Sequence, residues 1–121
     1  MIRVVVAGMG AGEQAEQEST GLATALRNAG MEAIFSGWGQ GPEQVVRGAV
    51  QEDADAIGLC GGSAGLLEQV RGLLAREQAA EVLVFVFGAA SDSDGEAVFA
   101  SSAAPESVAH WVRSRLTAGQ P

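Results

Sequence analysis

Three glycine-rich stretches hold the side chains of this chain that are able to do chemistry. In Cys60-Gly61-Gly62-Ser63 a thiol stands between an apolar run and an expected helix start. A helix dipole and free amides at such a place lower a thiol pKa. Cys60 to Gly65 then suits an anion or an oxyanion, with Cys60 as nucleophile. The phosphatase spacing Cys-x5-Arg is not met, because Leu66 holds the Arg position. In Gly8-Met9-Gly10-Ala11-Gly12-Glu13 the dinucleotide pattern G-x-G-x-x-A fits Gly10, Gly12 and Ala15. Its ribose-binding acid is absent, since Ser36 and Gly37 stand at the end of the second expected strand. Glu13, or the nearby Glu16, has the chemistry of a general acid or base, although acids in a first helical turn are ordinary dipole partners. In Gly88 to Glu96, Asp92 and Asp94 hint at a cation loop without the twelve-residue calcium pattern. The plain structural alternatives are a small core-edge Cys60 and a solvated turn around Asp92.

Two aromatic residues divide differently. Trp38, between Gly37 and Gly39, has little local core to join, so it is a candidate for stacking a ligand or touching a partner. Trp111 reads as core of the last helix.

The composition removes several classes. The chain has 121 residues, the size of one domain. Its net charge is −8, which argues against a nucleic-acid footprint. Every cation is Arg, so neither a Schiff-base lysine nor a Walker-type lysine is available. One His and one Cys nearly exclude a zinc site of the usual ligands, and no metal site is expected. A lone thiol also excludes an internal disulfide, which fits a reducing, cytoplasmic setting. Ile2 to Ala7 is too short for a signal peptide and reads as a strand. No run approaches the roughly 20 apolar residues that cross a bilayer.

These stretches need elements to hold them, and the apolar periodicity supplies nine. Strands are expected at Ile2–Ala7, Met31–Phe35, Ala56–Leu59, Glu81–Phe87 and Ala97–Ala100. Helices are expected from Glu13 to Asn28, from Pro42 with Val45, Val46, Ala49 and Val50 buried, around Leu66 to Leu74, and from Glu106 to Leu116. Ser36 to Gly41 reads as a loop, and residues 88–96 are too polar for a normal crossover helix. Alternating strands and helices give an α/β flavodoxin-like, Rossmann-like three-layer sandwich with a five-stranded parallel sheet in the order 2-1-3-4-5. One domain spans 1–116, with a frayed tail at 117–121. The loops after the first and third strands then lie side by side. His110 is expected to face solvent.

Gln40-Gly41-Pro42-Glu43, then Val45, Ala49, Val50, Glu52 and Asp55, then Ile57-Gly58, resembles the second helix and third strand of the cobalamin-binding domain of adenosylcobalamin-dependent mutases. The methylmalonyl-CoA mutase and glutamate mutase types share it. The framework resemblance runs from Ile2 to about Leu116. The family carries Asp-x-His-x-x-Gly after the first strand, Ser-x-Leu after the third and Gly-Gly after the fourth. Its His ligates cobalt, its Asp holds the His, and the other motifs line the slot for the cofactor's nucleotide tail. Here the His position falls on Gln14 or Ala15, the Asp on Gly12 or Glu13, and the motif Gly on Gln17 or Glu18. Ser-x-Leu becomes Cys60-Gly61-Gly62, and Gly-Gly becomes Gly88-Ala89.

The cofactor-facing set implied by the resemblance is therefore Gly10, Gly12, Gln14, Cys60, Gly61, Gly62, Ser63, Gly88 and Ala89. With neither Gln nor Ala able to replace an imidazole on cobalt, the expectation is a domain without the His-ligated cofactor. It would act as a small subunit beside a larger mutase-like or biosynthetic subunit, as a repurposed scaffold, or as a homo-oligomer, with a polar cleft at the ends of strands one, three and four. The alternatives are a stand-alone enzyme using Glu13, Cys60, Ser63 or Asp92, and a cobalamin carrier that holds the corrin face alone.

Overall fold

In a computed structural model of the chain, residues 1–9, 13–89, 97–100 and 102–117 are described, with the backbone alone for 13–15 and 89. The elements run β1 (Arg3–Gly8), α1 (Glu13–Asn28), β2 (Glu32–Trp38), α2 (Pro42–Gln51), β3 (Ala56–Cys60), α3 (Ala64–Arg76), β4 (Leu83–Ala89), β5 (Val98–Ala100) and α4 (Pro105–Thr117). All strand pairs are parallel, in the order β2-β1-β3-β4-β5. The expected topology holds. α1 packs with α4, and α2 with α3, as two outer layers.

Continuous apolar strands form where both sheet faces are covered. Val4 to Ala7, Ala56, Ile57, Leu59 and Val84 to Phe87 are accordingly buried. Leu22 and Leu26 seal α1, while Val108, Ala109 and Val112 seal α4. The approach of β3 to β4 depends on Gly58, where a Cβ would fall 2.7 Å from Phe85 Cζ. Trp111 closes the β5 side, edge-on to Phe99 at 5.1 Å between ring centres.

The helices start where the chemistry of their first residues allows. Pro42 opens α2 at a position that needs no N–H, and the Gln44 side chain accepts from the Gly41 N–H at 3.0 Å. Ser63 caps α3 by accepting from the Leu66 N–H at 3.2 Å.

Two expectations about element faces change. Val50 is 44% exposed, not part of the buried face of α2. β2 also runs on through Trp38, over residues expected to form a loop. A bulge makes this extension possible. Val6 pairs with Phe35 and Ala7 with Gly37, leaving Ser36 as an extra residue. One inserted residue reverses the alternation of faces. Phe35 and Trp38, three apart in sequence, therefore lie on the α1 side together, with ring centres 4.9 Å apart. Gly37 takes φ 124°, a conformation that L side chains rarely adopt.

Candidate functional site

The carboxyl ends of β1, β3 and β4 are laced together by their own backbone. Met9 N–H donates to Cys60 O at 2.8 Å, and Gly61 N–H donates to Phe87 O at 2.8 Å. Gly39 N–H likewise donates to Gly8 O at 3.0 Å. The Gly61 amide is thus consumed by a neighbouring strand and is not free for an anion. The Ser63 hydroxyl is engaged as the cap of α3.

Cys60 is the last residue of β3, with none of its surface exposed. Burial pushes its thiol up to about 11; the Ser19 hydroxyl beside it offsets a part of that, and the Glu18 carboxylate adds to it. Of the two readings of Cys60, this burial favours the small core-edge residue over the activated nucleophile. Cys60 belongs to the strand and to the buried core, where desolvation disfavours the thiolate.

Two polar atoms buried above these strands lack hydrogen-bond partners among the described residues: Glu18 Oε2 and Ser19 Oγ. The Ser19 hydroxyl lies near the thiol without meeting hydrogen-bond geometry. Glu18 reaches from α1 across to β4. At Gly88, where φ is +87°, a Cβ would fall 2.5 Å from Glu18 Oε2. The carboxylate therefore lies directly on the bare backbone of β4. The resemblance marked Glu18 only as one candidate for the family's motif glycine, and neither it nor Ser19 as a partner of this strand end. Their helical phase beside Leu22 and Leu26 was the available signal.

Of the expected site residues, the structure brings Cys60 and Gly88 under α1 and places Gly61, Gly62 and Ser63 at the start of α3. Gly10, Gly12 and Asp92 lie outside the described residues, as do the side chains of Glu13, Gln14 and Ala89. Trp38, on the edge strand and 42% exposed, packs against Gly8 at the end of β1. His110 is exposed on α4, as expected. No cluster of three or more His, Cys, Asp or Glu suited to a metal ion occurs among the described residues. No described helix is long and apolar enough to cross a membrane.

Two grooves flank the helices. One, of about 220 Å³ between α2 and α3, carries both charge signs through Glu43, Arg47, Arg76 and Glu77 around Val46, Val50 and Leu73. The other, of about 270 Å³, lies between α1 and β2 and includes Trp38.

This strand order, all parallel, defines a flavodoxin-like fold. A crystal structure described as a cobalamin-binding protein from Desulfitobacterium hafniense superposes with a TM-score of 0.70 over 93% of this chain and 58% of that one, at 16% identity. That likeness is one of fold. In sequence, the chain is 38% identical over 80 residues to the 2-hydroxyisobutanoyl-CoA mutase small subunit of Aquincola tertiaricarbonis. The match covers 64% of this chain and 59% of that subunit. No protein-family profile matches. The chain is thus similar in sequence to a mutase small subunit, over somewhat less than two thirds of that subunit's length, and similar in fold to a cobalamin-binding protein, in line with the resemblance read from the sequence.

The described residues do not fit a cobalamin ligated by a protein imidazole. The one His of the chain sits on the outer side of α4. The Glu18 carboxylate also fills the space over Gly88, the first of the positions matching the family's paired glycines.

Proposed function

We propose that this chain serves as the small subunit of a mutase-like assembly and docks on a larger subunit without forming an imidazole–cobalt bond. The observation that carries this reading is the Glu18 carboxylate seated on Gly88. A bulky cofactor tail and that side chain compete for one volume, and a close-packed site does not hold both. The small-subunit relative supports the assembly part of the proposal, because a homologue of a small subunit implies a larger companion. The surface offered to that companion is the carboxyl edge of the sheet, where Met9, Gly61 and Ser63 follow β1 and β3. A cytoplasmic setting agrees with the lone, buried, unpaired thiol.

Two measurements test the proposal. Affinity isolation of the tagged chain from its native host is expected to bring down a larger subunit in fixed stoichiometry; a partner-free monomer would count against the assembly. Incubation with hydroxocobalamin or adenosylcobalamin, followed by gel filtration, is expected to leave the protein fraction colourless. A corrin spectrum that travels with the protein overturns the reading and favours a cobalamin carrier.

A further inference from the structure

The groove between α1 and β2 borders the strand-end region, sharing Ser19 with it, but its chemistry does not depend on the mutase reading. Its helical wall is the ridge Glu16, Ser19, Thr20, Ala23 and Arg27, and its sheet wall is Phe35 and Trp38. Three features show a rigid, open aromatic platform. The bulge at Ser36 turns Trp38 onto the face of Phe35. The indole then lies flat on Gly8, where any Cβ would overlap its six-membered ring. The following turn is tied down, with Gln40 Nε2 donating to Ser36 O at 2.8 Å and Ser36 Oγ donating to Gln40 Oε1 at 2.9 Å. Both rings nonetheless remain 42% exposed. Bulges beside binding sites commonly re-aim a side chain in this way.

The groove's charges are placed as well. Arg27 Nη2 donates to Ala33 O at 3.0 Å, which fixes the guanidinium two residues along β2 from Phe35. A guanidinium has five N–H donors in a planar fork, so most of them stay free of that tether. Glu16 lies at the other end of the ridge, about 16 Å away along the helix at 1.5 Å per residue. Thr20 and Ala23 between them are small enough to leave a trough of about 270 Å³. That volume is just below the range usual for drug-sized ligands and suits one fused ring with one substituent.

We propose that this groove binds a planar aromatic ligand carrying an anionic group, the ring lying against Trp38 and Phe35 and the anion on the Arg27 guanidinium. Ring stacking on an indole and charge-assisted bonding to Arg are the two attractions these side chains offer. Specificity comes from needing both at one spacing.

Adenosine 5′-monophosphate is a suitable probe, with adenosine and inorganic phosphate as its two halves. In a Trp111→Phe background Trp38 is the sole indole, and its fluorescence reports directly. Saturable quenching by the nucleotide is expected, roughly tenfold weaker with adenosine and absent with phosphate. Arg27→Gln is expected to reduce the nucleotide's affinity to that of adenosine. Trp38→Leu and Gly8→Ala are expected to weaken binding at least roughly tenfold by calorimetry, with unchanged far-ultraviolet circular dichroism. Failure to saturate in the millimolar range, or an affinity that Arg27→Gln leaves untouched, overturns the proposal. So does the loss of Trp38 quenching by iodide only when a larger subunit is bound and never with the nucleotide, which would make this face a protein contact.

Discussion

Alkylation of Cys60 decides most directly between its two readings, core-edge residue and nucleophile. The thiol has no exposed surface, and burial raises its pKa from the ordinary 9.0 to about 11. Two pH units correspond to about a hundredfold smaller thiolate fraction at neutral pH, and the thiolate is the reacting form. Since the buried sulfur also has to be uncovered by local opening, the native rate with iodoacetamide at pH 7.5 is expected to be at least about 100-fold below the rate in denaturant. The native rate should climb about tenfold per pH unit without a plateau until near pH 11, whereas the unfolded chain levels off near pH 9.

The same shift enters stability. Between the two pKa values the unfolded chain has released the thiol proton and the folded chain keeps it, so stability falls as pH rises through that window. The stabilising effect of the neutral, buried thiol is fully present below pH 9 and is lost by about pH 11, up to about 3 kcal/mol. A native alkylation rate within tenfold of the denatured one, or a plateau below pH 9, would refute the argument and restore Cys60 as a candidate nucleophile.

Three further perturbations address separate contacts. Gly58→Ala forces a methyl to 2.7 Å from Phe85 Cζ in a buried sheet and is expected to cost about 1–3 kcal/mol in urea unfolding; no change would mean the Phe85 ring is not held there. Ser63→Ala removes the cap on the Leu66 N–H and is expected to cost about 0.5–2 kcal/mol in the same assay. Glu18→Ala removes a buried carboxylate oxygen without a described partner and is expected to raise stability by about 1 kcal/mol, a few degrees in Tm. A marked loss of stability would instead reveal a partner for that oxygen.

The sequence by itself determined the strand order and the helix assignments. Val4 to Ala7, Ala56 to Leu59 and Val84 to Phe87 are unbroken apolar runs separated by helical periodicity, and right-handed crossovers leave few ways to assemble them. The glycine punctuation at Gly8, Gly61 and Gly88 placed the strand ends to within two residues, each of these strands running one or two residues beyond its expected end, and the resemblance to the mutase family was carried by residues around α2 and β3.

Tertiary structure alone decided the chemistry at those ends. Whether Cys60 faces a helix start or the core depends on a single residue of strand length, which no local pattern specifies. The meeting of Glu18 with Gly88 joins α1 to β4 across 70 residues, and the bulge at Ser36 exists only because β1 pairs beside it. Periodicity reports which face of an element is apolar. Desolvation, amide satisfaction and side-chain aim are set by neighbours distant in the chain, and these are the quantities that separate a reactive thiol from an inert one and an open slot from a filled one.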